Sequence, residues 1–255
     1  MGFVASSWSD SLLGLERWKT LLFLGVFTNL KVMSFSTSTY AVVRKDVKSE
    51  LRTRYALNAL LMFVVTAVST ILFALRSDNP SIELLSGMYW VVIFFTAMSG
   101  LSRIFVSEEE RGTVLVLQLI ASPETIYFGK LIFNAGLTLL MTTAVTLLYM
   151  VVFPGFVIKS YEIFLPTIVL GSMGFAASAT IIAAIIAKAG AKGTLYPVLS
   201  FPILIPLLMT VMNATTRALD GESFGNALGE FQVLAGYLLA MVGGSYILFD
   251  YVWKD

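Results

Sequence analysis

The sequence predicts an all-α membrane protein with six transmembrane helices. Three observations carry that expectation: an apolar composition, six uninterrupted apolar runs, and an uneven placement of Lys and Arg between the connections. Of the 255 residues, 57% are hydrophobic and 13% charged, about half the charged share usual in a soluble domain. Mean hydropathy is +0.84. A soluble fold of this length must cover itself with polar side chains, and this chain has too few to do so.

Each run is long enough to cross about 30 Å of hydrocarbon at about 1.5 Å per residue. They are Leu57–Leu75, Leu84–Leu101, Leu131–Phe153, Ile163–Ala187, Leu195–Met212 and Phe231–Phe249. Lipid-facing strands would alternate, whereas these runs are apolar on every side, so helices that satisfy their own backbone are expected. None of them carries a central Asp, Glu, Lys or Arg. Ion-coupled carriers commonly place such groups, or broken helices, at mid-depth. Energy for any transport is therefore expected from outside the bundle.

The basic residues orient the bundle. Arg44, Lys45, Lys48, Arg52 and Arg54 precede the first run, and Arg103, Arg111 and Lys130 follow the second. Lys188 and Lys192 follow the fourth, and Lys254 lies in the tail. These eleven share one side, against Arg76, Lys159 and Arg217 on the other. The asymmetry predicts that both termini lie in the cytoplasm.

Composition also excludes chemistry. Net charge is +1 and no basic stripe is interleaved with aromatics, which argues against nucleic acid. Cysteine and histidine are absent. Disulfides, Fe–S sites, HExxH zinc sites, His-based acid–base pairs and imidazole ligation of heme iron are thereby removed; Met and Tyr remain conceivable heme ligands. The chain has no GxxxxGK[ST], so ATP chemistry would belong to a partner. An intramembrane enzyme is disfavoured, because Ser and Tyr lack a placed base.

Between the second and third runs lies SEEERGTVLVLQLIASPETIYFGK, Ser107–Lys130. Val114, Leu117, Ile120 and Ala121 recur at helical spacing, Glu108–Glu110 would sit near the N-terminus of that helix, and Pro123 would stop it. Such a helix lies outside the bilayer and its apolar side chains need a partner. Headgroups are one candidate; a soluble protein suits the acidic cluster better, since anionic lipid repels it. Lys130 marks the entrance to the third run. Upstream, KDVKSELRTRY aligns Val47, Leu51 and Tyr55, as expected of an interfacial elbow helix, or of a simple positive flank.

Small residues pave the fourth run, LGSMGFAASATIIAAIIAKAG, where Gly171, Gly174 and Ser178 allow close helix packing within the chain or between subunits. The fifth contains Pro197, Pro202 and Pro206, expected to kink it as static packing or as a hinge. Residues 1–43 form an N-terminal extension ahead of a six-span domain at 44–255. Leu21–Leu30 is too short to span, so the extension is either interfacial or begins upstream of a start at Met33. Met1-Gly2 with Ser6 matches a myristoylation pattern weakly, and Asp10 and Glu16 argue against a signal peptide.

The ordered set formed by the basic elbow, SGMYWVVIFFTAMSGLSRIFVSEEERG, LIASPETIYFGKLIFN, LGSMGFAASATIIAAIIAKAG and TLYPVLSFPILIPLLM resembles the cytochrome c maturation protein B (heme exporter protein B) family. The resemblance runs from about Arg44 to Phe249. It implies a fold like that of type-2 ABC exporters, with an N-terminal elbow helix and a cytoplasmic coupling helix, in the bacterial inner membrane. It further implies a separate ABC ATPase subunit (cytochrome c maturation protein A), maturation proteins C and D, and the periplasmic heme chaperone, protein E. ATP would be bound by the ATPase and heme handled by the complex, with no cofactor assigned to this chain.

Carried over by position, the resemblance assigns docking on the ATPase to Glu108, Glu109, Glu110, Arg111, Gly112, Leu117, Ser122 and Pro123. The gap from Gly112 to Pro123 is slightly longer than the family pattern, either as a lineage variant or because the helix gains part of a turn. An exporter subunit for another cargo (lipid, drug or polysaccharide) and a non-transporting assembly scaffold remain the alternatives.

Overall fold

A computed structural model describes residues 35–53, 55–75, 80–101, 108, 112–114, 117, 119, 121–188 and 196–254. The expectations placed on residues 1–34 lie outside these. Two compact units divide the chain, Met1–Ser38 and Thr39–Asp255. The second unit holds the bundle.

Seven α-helices are described: α1 (Phe35–Thr53), α2 (Tyr55–Ala74), α3 (Ile82–Leu101), α4 (Pro123–Val152), α5 (Tyr161–Lys188), α6 (Tyr196–Asp220) and α7 (Leu228–Lys254). A 3₁₀ turn, Phe224–Ala227, precedes the last. Helices α2 to α7 supply six stretches long and apolar enough to cross a membrane. The six-span all-α architecture expected from hydropathy is the one observed.

The third and fifth spans depart from their expected limits. The third begins at Pro123 and runs for 30 residues, eight residues ahead of Leu131. A proline at the first helical position loses nothing, because that N–H has no intrahelical acceptor. Ser122 is the N-cap, with extended backbone (φ −67°, ψ 151°), and its carbonyl accepts from Ile126 N–H at 3.1 Å. Pro123 thus ends one segment and starts the next. Helix α6 outruns its predicted end at Met212 because polar residues such as Thr215 continue the turn; it stops at Gly221, whose φ of +80° suits the residue that follows a helix.

Helix α5 sits at the centre: 78% of its apolar 18-residue stretch is buried, against 17% of that of α2 and 11% of that of the last span. Its small residues explain how. A Cβ added at Gly171 would lie 2.8 Å from Trp90 Cη2 and 3.1 Å from Val211 Cγ1. One at Gly174 would lie 2.8 Å from Leu207 Cδ1. At these two glycines the small-residue seam is an internal one, receiving α3 and α6. Polar pairs pin the helices: Trp90 Nε1 donates to Thr215 Oγ1 at 2.7 Å, and Asn134 Nδ2 to Thr180 Oγ1 at 2.7 Å. Pro202 and Pro206 lie on an exposed face of a continuous α6, and Pro197 falls in its first turn.

The two ends of the bundle separate the charges. At one, Lys159 N–H and Ser160 N–H donate to the Ala218 carbonyl, while Arg217 pairs with Glu222 and Glu230, each at 2.8 Å. At the other, Tyr127 packs on Phe249 and Phe128 on Tyr246, beside Lys130. The structure thus groups Lys159 and Arg217 at the end opposite Lys130, as the charge count predicts.

Gly171→Val would push a branched side chain into Trp90, which is fully buried and held by Thr215. Overpacking of this kind costs about 1–3 kcal/mol. Gly174→Ala meets the tip of Leu207, which can turn aside. Thermal unfolding in detergent should show a large drop in Tm for the first and a small one for the second.

Candidate functional site

Helix α1 carries the first part of the site. Thr39, Val42 and Asp46 share its buried face at helical spacing, whereas Val47 and Leu51 are exposed. The buried face lies on the start of α4. A Cβ added at Gly129 would come within 2.7 Å of Val42 Cγ1, so the glycine is what lets the two helices touch. This close approach puts Asp46 beside Lys130, one residue further along α4.

Lys130 is 1% exposed, and its ammonium spans two carboxylates. Nζ lies 3.1 Å from Asp46 Oδ1 and 3.0 Å from Oδ2. It also lies 3.1 Å from Glu108 Oε1. Lys45 pairs with Glu108 as well and stands 3.4 Å from Asp46. Thr113 Oγ1 donates to Glu108 Oε2. Among the described residues, the charged side chains that are buried are Asp46, Glu108 and Lys130. Two positive and two negative groups close the cluster with no net charge.

Burial by itself would raise the Glu108 pKa. The Lys130 charge and the hydrogen bonds from Lys45 and Thr113 outweigh it and hold the carboxyl down at about 2. Glu108 is therefore ionised at neutral pH.

Local backbone chemistry shapes the segment that follows. Gly112 has φ +64°, and Thr113 N–H donates back to the Glu108 carbonyl at 3.0 Å. That is the closing bond of a Schellman turn, with Gly112 as its left-handed residue. Thr113 then opens a second helical stretch: its carbonyl accepts from Leu117 N–H, and that of Leu117 from Ala121 N–H, both at 3.0 Å. Glu108 consequently lies before the left-handed Gly112 and outside the helical stretch that opens at Thr113. What fixes its charge is Lys130 rather than the helix dipole.

Of the residues assigned to docking, Glu109, Glu110 and Arg111 lie outside the described residues. Leu117 turns inward, with Val114 and Ala121, against the core, while Leu119 is 85% exposed. Ser122 is exposed and its hydroxyl lies 2.9 Å from Thr125 Oγ1. The sequence pattern singles out neither Asp46 nor Leu119, and it marks Lys130 only as the entrance to the third run. One signal was present: Asp46 is an acid inside a basic stretch, three and seven residues beyond the apolar-side positions Val43 and Thr39.

Among the described residues no three His, Cys, Asp or Glu side chains are placed to hold a metal ion. The fold and this cluster define a class: a multi-span membrane subunit with a buried ion cluster at one end of its bundle. Residues 37–246 match the family described as CcmB protein. The chain therefore belongs to the CcmB family. It is a heme-handling membrane subunit of the kind that serves cytochrome c maturation. No curated protein matches it.

Removing the Lys130 charge alone leaves two buried carboxylates with a single half-exposed Lys45. Lys130→Met is expected to destabilise the protein by about 3–5 kcal/mol, read as a fall in Tm. Because the Glu108 pKa is depressed, its stabilisation is complete above the ordinary 4.5 and is lost as pH falls from there towards 2. The Tm gap between wild type and Glu108→Gln should stay constant from pH 8 to pH 5.5 and narrow below about 4.5.

Proposed function

We propose that residues 108–122 are the coupling segment on which the separate ABC ATPase, cytochrome c maturation protein A, docks at the cytoplasmic face of the bacterial inner membrane. ATP binding and hydrolysis there displace the segment. Its rigid connection to α4 carries the displacement into the bundle, serving heme handling or release of the heme-loaded chaperone, protein E. Maturation proteins C and D complete the assembly. Both chain termini lie in the cytoplasm, as the excess of Lys and Arg at that end favours.

One observation carries this reading. The segment is anchored on one side, by Val114, Leu117 and Ala121 against the core, and offers Leu119 outward at 85% exposure. A short helix fixed from behind, apolar in front and led by glutamates suits a groove in a soluble protein better than anionic headgroups. The docking contact falls to Leu119 and Ser122, with Leu117 as the anchor; Glu109, Glu110 and Arg111 are further docking residues that the resemblance assigns. Coupling of this kind needs two states of the bundle that the nucleotide-driven subunit favours unequally.

Leu119→Glu tests it. Loss of a central interface side chain costs about 2 kcal/mol or more, roughly 30-fold in affinity. Co-purification of the ATPase and heme staining of c-type cytochromes should both fall in cells carrying the variant as their one copy, at unchanged membrane level. Full ATPase recovery with normal cytochromes would overturn the assignment.

A further inference from the structure

The cluster of Lys45, Asp46, Glu108 and Lys130 does more than neutralise itself. Its four members come from three places: the elbow helix α1, the lead of the 108–122 segment, and the second turn of α4. Lys130 alone touches both carboxylates from the α4 side, from a position with 1% exposure. An ammonium held by two carboxylates in a site closed to water cannot slide to a new partner without being stranded between the two arrangements. One residue earlier, at Gly129, Val42 already fills the space a Cβ would need, so α1 and α4 are in direct contact beside the cluster.

We propose that Lys130 is a positioning residue for energy coupling, a clamp that makes the elbow helix, the coupling segment and the base of α4 move as one rigid body. The elbow is then part of the moving unit, with its exposed Val47 and Leu51 travelling along the membrane surface. The proposal rests on the reading that the ATPase docks on residues 108–122. Force applied to the segment reaches α4 by two routes, the chain itself through Ser122 and Pro123, and the side-chain bridge through Glu108 and Lys130. The bridge is the route that also engages α1.

The decisive variant is the double substitution Asp46→Asn with Lys130→Met. It removes one charge of each sign, keeps the cluster neutral, and leaves the Lys45–Glu108 pair and every docking residue in place. It therefore folds where Lys130→Met alone can fail. The chain has no cysteine, so Lys48→Cys and Leu140→Cys, both exposed, carry spin labels without background from this subunit. Their separation reports the elbow against α4 in the complete complex with its ATPase.

In the otherwise native complex the separation should be one narrow distribution, the same without nucleotide and with ATP trapped. In the double variant it should broaden and differ between the two states, and heme-stained c-type cytochrome should fall about tenfold. A role in stability alone predicts native cytochrome yield and a native distribution once the double variant has folded; that result would overturn the clamp. So would a native complex whose elbow moves against α4 on ATP binding. A cysteine at Leu119 that forms no cross-link to the ATPase would sink the docking reading instead, and the label distances would still decide whether the clamp exists.

Discussion

A single ammonium, that of Lys130, sits where three segments of the chain converge, and the organisation of the basic end depends on it. Taking a charge out of water is costly unless opposite charges and hydrogen bonds replace the lost hydration. Here Asp46 and Glu108 do so together, at 3.0 Å and 3.1 Å from Nζ. The arrangement exists because Gly129, one residue earlier, lets α1 approach α4 closely enough for Val42 to fill the gap. Helix contact comes first, and the ion cluster follows from it.

That cluster also explains the shape of the connection between α3 and α4. Glu108 is held by Lys130 and Lys45, and Gly112 provides the left-handed residue beside the bond from Thr113 N–H back to the Glu108 carbonyl. The helical stretch that opens at Thr113 then lays Val114, Leu117 and Ala121 on the bundle and leaves Leu119 outside. The stretch is thus held from behind and exposes Leu119 on its other side.

Inside the bundle a different rule holds. Between helices surrounded by lipid, association relies on close packing and interhelical hydrogen bonds more than on the hydrophobic effect. Gly171 and Gly174 admit Trp90, Val211 and Leu207 to the surface of α5, and the pairs Trp90–Thr215 and Asn134–Thr180 lock the approach. A tightly filled centre of this kind is what could pass a displacement at the base of α4 on to its neighbours, since close-packed interiors deform little.

Six spans, their approximate limits and the division of charge between the two ends were legible along the chain, because each depends on local hydropathy and on residues close in sequence. So was the lack of imidazole and thiol chemistry, which follows from composition. The start of α4 was misplaced because a run of apolar residues says nothing about a capped, half-polar first turn such as Ser122-Pro123-Glu124-Thr125. Tertiary structure alone decided that Lys130 is buried, that Leu117 faces in while Leu119 faces out, and that Asp46 belongs to the site. Lys130 meets Asp46 across 84 residues and Glu108 across 22. Separations of that size leave no periodic trace in one sequence, and which charges meet is settled only when the helices pack.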